Sequence, residues 1–497
     1  MPLSELKVNL RITNKEVQIR RNNGAARTER LRYEDNDLER RTLRMLADMR
    51  RSRRLEGDEV KILGEWLYRL LLEYSVGDEL NRVVSDTPTF LRVELEFEDP
   101  GSHLAALPWE YLRRPDQQDA RGYFLALHDQ IALTRLPQVE CRPLGAIGKK
   151  ARILLVANSP VDLAPLVFGQ FIKQFKNKQL KFLLEPFVLE TPYLKSADRD
   201  MYVAKNKKPQ ATFENFKEAL KKFEPHIVHF LGHGKYEGKS GKIAFAEENY
   251  NADWKTGDEI AQVLKDCPSV KLAFLQACES AREDVPHSSF DWSDKHQALT
   301  SVAGCIVQSS KMPAIVAMQS NVENDFANTF AGTFYRSLVE HKSIYQAVQI
   351  ARTEARKQDR ASDAADHFSC VPVLYLDSCG DNDNGILFPD SVGAITQNTE
   401  QPSVGPIQCP WCPKVMERSP FATKEPEQCS KCGNTLRCPN CHRRISRVDS
   451  DQDEVYCEYG CDQVIQRRKK SDTPPIPPKQ GDGFLKLGSS GGTNVRQ

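Results

Sequence analysis

Residues 226–234 read HIVHFLGHG, and residues 271–280 read KLAFLQACES. Each is a run of β-formers that stops abruptly on small or polar residues. The first ends in a histidine between two glycines, Gly232-His233-Gly234, and the second in Cys278, between Ala277 and Glu279. Short apolar runs bounded by turn signals fit strands buried on both faces. An amphipathic stretch precedes each of them, ATFENFKEALKKF at 211–223 and DEIAQVLKDC at 258–267. Repeated helix–strand units predict an α/β fold, a mainly parallel sheet with helices on both faces. Such sheets bind ligands beyond the carboxyl ends of their strands, and His233 and Cys278 both fall at that edge.

The same alternation extends outward. ARILLVANS (151–159) and LKFLLEPF (180–187) read as strands, and HQALTSVAGCIVQSS (296–310) leads into the strand PAIVAMQ (313–319). Two helical stretches span 322–358, and CVPVLYLD (370–377) closes the series, so one unit occupies about 150–380. Residues 1–145 predict a separate mixed α/β region. DEVKILGEWLYRLLLEYS (58–75) places Val60, Leu63, Leu67, Leu70, Leu71 and Tyr74 on one helical face. In TFLRVELEFEDP (89–100), Leu91, Val93, Leu95 and Phe97 alternate with polar residues, the pattern of a half-buried strand. LAALPWEYL (104–112) and YFLALHDQIALTRLP (123–137) read as further strand-like pieces. Arginines 50, 51, 53 and 54 precede the helix and read as a solvated face rather than a nucleic-acid contact.

Composition excludes several function classes. A chain of 497 residues exceeds one core and predicts two or three domains. Lysine and arginine total 69 against 68 acidic residues, so no global field favours nucleic acid or an anionic membrane. The start, MPLSELKVNLRITNKEV, puts charges where a signal peptide needs an apolar core, and no run approaches a membrane span. A cytoplasmic location is the expectation.

A thiol nucleophile needs a nearby base, its leaving group needs an acid, and the tetrahedral intermediate needs N–H donors. The two strand ends supply all three. Cys278 would attack a carbonyl, His233 would move the proton, and the backbone N–H groups of Gly234 and Cys278 would hold the oxyanion. The bland alternative is an inert core cysteine and an ordinary glycine turn. The pairing counts against it, because His233 lies 45 residues upstream of Cys278, close to the caspase interval.

HIVHFLGHG, LAFLQACESA and GCIVQSSKMPAIVAMQSNVENDFANTFAGTFYRSLVEHKSIYQAVQIAR together resemble the CHAT family of caspase-like cysteine peptidases, relatives of separase, metacaspases and paracaspases. LRVELEF, LAALPWEYL and FLALHDQIALTR resemble the segment preceding the catalytic half, so the likeness spans about 85–378. It implies a pseudo-symmetric, caspase-like N-terminal half (1–145) ahead of the peptidase domain (150–380). It also implies a His233/Cys278 dyad that needs no cofactor and controlled cleavage of a partner protein, often in bacterial antiviral defence or cell-death circuits. That substrate would be encoded nearby, with a regulatory protein as a further partner. Metacaspases and paracaspases carry an acid two residues before the cysteine, which helps them take arginine or lysine. Neutral Gln276 stands there in this chain, which argues against basic specificity, while Asp325 is the other pocket residue expected. His229 reads as a packed or supporting residue.

After Asp381 the composition collapses into a linker (381–404) containing TQNTEQPSVGP. Eight of the 14 cysteines then fall in four close pairs: Cys409/Cys412, Cys429/Cys432, Cys438/Cys441 and Cys457/Cys461. Each pair fits a zinc knuckle, and two pairs complete one closed tetrahedral site, so 405–470 predicts a double zinc ribbon with two structural ions. His442 reads as a bystander. The tail, 471–497, is rich in Pro, Gly and Ser and predicts disorder. Two other function classes remain open: a non-catalytic adaptor assembling through the caspase-like domain, and a nucleic-acid-binding zinc protein. An intact histidine and cysteine argue against the first, and interleaved acids around the ribbons argue against the second.

Overall fold

The computed structural model describes residues 6–21, 26–31, 45–46, 55, 57–86, 90–99, 103–116, 122–137, 139–147, 150–166, 168–175, 180, 184–191, 209–237, 240–278, 301–358, 365–377 and 385–388. It also describes four short strands beyond residue 406. The chain separates into two units, 1–394 and 395–497.

In the first unit the strands are β1 (Leu6–Ile12), β2 (Glu16–Arg21), β3 (Arg27–Arg30), β4 (Leu91–Phe97), β5 (Arg113–Arg114), β6 (Tyr123–Phe124), β7 (Ile131–Arg135) and β8 (Ala151–Asn158). They continue as β9 (Leu184–Thr191), β10 (Ile227–Leu231), β11 (Gly234–Glu237), β12 (Ser240–Ala246), β13 (Ala252–Thr256), β14 (Leu272–Gln276), β15 (Ala314–Met318) and β16 (Pro372–Leu376). The helices are α1 (Asp58–Leu72), α2 (Ser75–Asp86), α3 (His103–Ala106), α4 (Gly169–Gln174) and α5 (Phe213–Phe223). After them come α6 (Gly257–Lys265), α7 (Val302–Ser310), α8 (Asn324–Val339), α9 (Ile344–Gln358) and α10 (Ala365–Cys370).

Eleven strands form one sheet in the order β3-β2-β1-β4-β7-β16-β15-β14-β10-β8-β9. It holds two parallel blocks. β1, β4, β7 and β16 run parallel, and so do β15, β14, β10, β8 and β9. The blocks meet at the antiparallel pair β15/β16, in register Ala314↔Leu376 to Met318↔Pro372. The mainly parallel α/β fold is therefore present, with antiparallel pairing at this join and at β1–β2–β3.

Strand alternation divides the second block between two cores. Ile227, Leu231, Leu272 and Phe274 face α8 and α9, beside Phe330, Phe334 and Val348. Val228, Phe230, Ala273 and Leu275 face the opposite core with Phe216, Ile260 and Ile306 of α5, α6 and α7. The first block packs Val8, Leu10, Val93, Leu95 and Leu133 against α1 and α2 through Leu63, Leu67 and Leu80.

Several local expectations differ from the structure. The helix predicted over 58–75 ends at Leu72, and Tyr74 stands exposed. β4 is buried on both faces rather than half-buried. Its charged face is covered: Glu94 pairs with Arg92 and Lys7, each at 3.0 Å, and the Arg92 guanidinium lies 5.2 Å from the Tyr345 ring centroid of α9. Residues 104–112 form a short helix and a 3-10 turn instead of strand, held by the Trp109 indole donating to the Leu104 carbonyl at 2.6 Å. The strand expected at 180–187 begins at Leu184 and is the sheet's edge, where Pro186, lacking an N–H, is tolerated. The antiparallel meander β11–β12–β13 had no counterpart in the sequence reading.

One buried ion pair ties the two blocks. Arg135, ending β7, donates from Nε to Glu110 Oε1 at 2.9 Å and from Nη2 to Glu110 Oε2. Gln319, just past β15, donates to Glu110 Oε2 at 3.1 Å and to the Cys370 carbonyl at 2.8 Å. Arg352 of α9 is fully buried and donates to the Pro372 carbonyl at the start of β16. Burial lowers the Arg352 pKa, while the Glu110 charge opposes that shift.

The second unit is described by two antiparallel ladders, Ile407–Gln408 with Val415–Met416 and Glu454–Tyr456 with Val464–Gln466. All four cysteine pairs predicted to bind zinc lie outside the described residues: Cys409 and Cys412, Cys429 and Cys432, Cys438 and Cys441, Cys457 and Cys461. So do His442, the tail at 471–497 and the arginines at 50–54.

Replacing Glu110 by Gln leaves the Arg135 guanidinium buried without its charge partner. Removing one member of a buried pair costs about 3–5 kcal/mol. Glu110→Gln is therefore expected to lower the unfolding midpoint in urea sharply, and an unchanged midpoint would show that Arg135 finds another partner.

Candidate active site

The two decisive strands are placed by the helices before them. α5 is capped by Thr212, whose side chain accepts from the Asn215 N–H, and it ends with Glu224 in the left-handed region (φ 46°) before Pro225. α6 opens on a reciprocal capping box between Thr256 and Glu259 and buries Ile260, Ala261 and Leu264. Each helix then delivers the chain into a fully buried five-residue strand, β10 and β14 respectively.

β10 and β14 are hydrogen-bonded neighbours, paired in parallel from Ile227↔Leu272 to Leu231↔Gln276. The Gly232 N–H donates to the Gln276 carbonyl at 3.2 Å, carrying the ladder past both strands. Continued residue for residue, this register sets His233 opposite Cys278. Parallel strands lie about 4.8 Å apart. The period of two puts 229 and 231 in one phase and 274 and 276 in the same one, and the chain bends at 232 and 277 just beyond them. The approach is close at Gly234: a Cβ there would lie 2.1 Å from the Cys278 carbonyl oxygen and 3.2 Å from the Ala277 Cβ. Glycine is required here to let the two backbones touch.

His233 is half-buried, and its Nε2 lies 2.8 Å from the Ala164 carbonyl oxygen. A carbonyl only accepts, so Nε2 carries the proton and Nδ1 holds the free lone pair. Burial lowers the His233 pKa, opposed by the Ala164 bond and the Asp162 charge, and so favours neutral imidazole. The main chain here is anchored. The His233 carbonyl accepts from Ala244 N–H at 3.0 Å, and the Ala244 carbonyl accepts from the buried Asn158 amide at 2.8 Å. The loop carrying Ala164 is tied by Leu166 N–H to Ser159 Oγ (2.9 Å), Val161 N–H to the Tyr250 carbonyl (3.0 Å) and Ala252 N–H to Asp162 Oδ1 (2.9 Å). Ala164 is a site residue that sequence reasoning missed, since a backbone carbonyl leaves no residue-type signal.

Cys278 is also half-buried, whereas Cys141, Cys267, Cys305 and Cys370 are buried. Burial pushes the Cys267 and Cys370 thiols upward. Gln276 is mostly buried, not open to solvent. Its Oε1 lies 3.2 Å from His229 Nε2, and its Nε2 donates to Asn328 Oδ1 at 3.0 Å. His229 is fully buried, stacks on Phe274 with centroids 4.4 Å apart, and has Nδ1 at 3.0 Å from the Tyr335 hydroxyl. Desolvation lowers its pKa to about 3, so it is neutral. Asp325 lies exposed in the first turn of α8, and the α8 residue bonded to Gln276 is Asn328, one turn further on.

The CHAT domain family matches residues 61–404, well over half of the chain, and the chain belongs to that family, whose members are caspase-like. No curated protein is a significant match in sequence. Among solved structures, the chain is similar to the Saccharomyces cerevisiae separase–securin complex at 12% identity and TM-score 0.34, covering 69% of this chain and 22% of that one. It is similar to the Arg-specific cysteine proteinase gingipain R at 9% identity and TM-score 0.35, covering 71% and 75%. The complex of Porphyromonas gingivalis RgpB pro- and mature domains gives 10% identity and TM-score 0.33, covering 69% and 75%. Among the described residues, no helix is long and apolar enough to cross a membrane.

The close approach at Gly234 has a measurable consequence. Gly234→Ala is expected to destabilise the fold by roughly 1–3 kcal/mol through overpacking. Gly169→Ala, where a Cβ meets nothing within 4 Å, should be neutral or mildly stabilising. Equal unfolding midpoints for the two variants would show that the strand ends have room to part.

Proposed function

We propose that this chain is a caspase-like cysteine endopeptidase with His233 as acid–base and Cys278 as nucleophile. The observation that supports the reading is the β10/β14 pairing, which ends at Leu231↔Gln276 and brings Gly234 against the Cys278 carbonyl, so that half-buried His233 and Cys278 follow adjacent strand ends. The Cys278 thiol gives its proton to His233 Nδ1, and the thiolate attacks the scissile carbonyl carbon. The N–H groups of Gly234 and Cys278 stabilise the oxyanion. His233 then returns the proton to the departing amine as the C–N bond breaks, leaving a thioester. Water adds to the thioester, giving one proton to Nδ1, and the acid product leaves as that proton returns to Cys278 sulfur. Throughout, the Ala164 carbonyl holds Nε2–H, and the Asp162 charge favours the transient imidazolium.

The substrate in this reading is a partner protein encoded nearby and cleaved under regulation in a bacterial defence or cell-death pathway in the cytoplasm. The CHAT assignment supports the peptidase class, and the setting follows from what the sequence resemblance implies. The cysteine pairs at 409–461 hold two structural zinc ions in closed sites and serve recognition or control. Their support is eight cysteines in four close pairs. Such sites carry folding free energies of roughly 10 kcal/mol each, so the module should fold only with metal.

Cys278→Ala is expected to abolish cleavage of a co-expressed neighbour, and His233→Ala to lower it by ~10²–10⁴-fold, both with the fold intact by circular dichroism. A substrate-like electrophile should alkylate Cys278 before Cys267 or Cys305. Cleavage that survives Cys278→Ala would refute the assignment. Metal analysis should find about two zinc ions per chain, and one or none would overturn the ribbon pairing.

A further inference from the structure

Tyr335 is fully buried, and burial drives its pKa up, so its hydroxyl keeps its proton. Its hydrogen-bond partner is His229 Nδ1. Leaving a buried hydroxyl proton unmatched is costly, so Tyr335 donates and Nδ1 accepts. Neutral His229 then carries its proton on Nε2, which must donate to an oxygen. Gln276 therefore presents Oε1 to His229 and Nε2 to Asn328, the orientation in which those atoms are found. Asn328 accepts through Oδ1, and its NH₂ group is left as the outward end of the chain. Each donor in this series fixes the next amide, from a buried tyrosine to a half-buried asparagine on the first turns of α8.

The outer end adjoins the nucleophile's strand, since Asn328 is bonded to Gln276, two residues before Cys278. It offers N–H donors and no charge. A basic side chain would meet donors, and a carboxylate would be desolvated without a cation, an expensive outcome. Exposed Asp325, one turn before Asn328, further disfavours an anion. An uncharged acceptor fits.

We propose that the pocket beside Cys278 selects a P1 residue with an uncharged side-chain carbonyl, the amide of asparagine or glutamine. Tyr335 and His229 act as positioning residues that orient the Gln276 and Asn328 amides. This deepens the peptidase reading above and rests on it.

A positional peptide library should show the full chain cutting after asparagine and glutamine. Asn328→Asp should invert the preference toward lysine and arginine. Tyr335→Phe should reduce discrimination between glutamine and an isosteric apolar P1 residue by roughly tenfold. Independently of activity, nitrogen NMR of His229 in Cys278→Ala protein should show neutral imidazole protonated at Nε2. A proton on Nδ1 would overturn the proposal. So would Cys278-dependent cleavage whose profile ignores Asn328→Asp, or a wild-type arginine preference lost in Asp325→Asn. Those outcomes leave the peptidase reading standing. Complete absence of Cys278-dependent cleavage, in peptides and neighbouring proteins alike, would remove that reading and the pocket's role with it.

Discussion

A parallel ladder is paired residue by residue, so the point at which two strands begin decides which residues meet beyond their ends. Here the start is fixed by Ile227 facing Leu272 and the end by Leu231 facing Gln276. A one-residue slip of β14 against β10 would turn Phe274 away from the core it fills. The helices α5 and α6 hold that register from below through their caps and buried faces. Above the sheet, the missing Cβ of Gly234 lets the loop ends close against each other. The proposed chemistry depends on this alignment before it depends on any single pKa.

The second constraint is the antiparallel join of β15 and β16. It lets one chain fuse two parallel blocks into a single sheet, but it brings charged residues inside. Glu110 and Arg135 satisfy each other there, and Gln319 links them to the Cys370 carbonyl. Gln319 also begins the loop from β15 into α8, the helix that carries Asn328 and Tyr335. The region preceding the site is thus part of the same folded body, not a detachable appendage.

Much of this was legible in the sequence because apolar runs and helix periodicity are local signals. HIVHFL and KLAFLQ read as buried strands, and the helices ahead of them read as amphipathic, which is how they fold. The failures came where distant segments override local pattern. β4 alternates like a solvated strand, but α9 covers its charged face, from more than 200 residues later in the chain. LAALPWEYL has strand-like composition, yet Leu104 and Trp109 close a compact helical corner. At the candidate site, residue types singled out His233 and Cys278 as the pair to propose. They could not show Ala164, whose contribution is a carbonyl, nor Asn328, whose partner Gln276 lies 52 positions away.

Because the group that orients His233 belongs to the main chain, no side-chain replacement at Ala164 deletes it. A saturation scan would find that position tolerant and would pass over its role. Sensitivity would surface instead at the residues that set the loop's path: Ser159, through its hydroxyl, and Asp162, through its carboxylate. The imprint of a main-chain atom with that proposed role is then a ring of intolerant neighbours around a permissive centre.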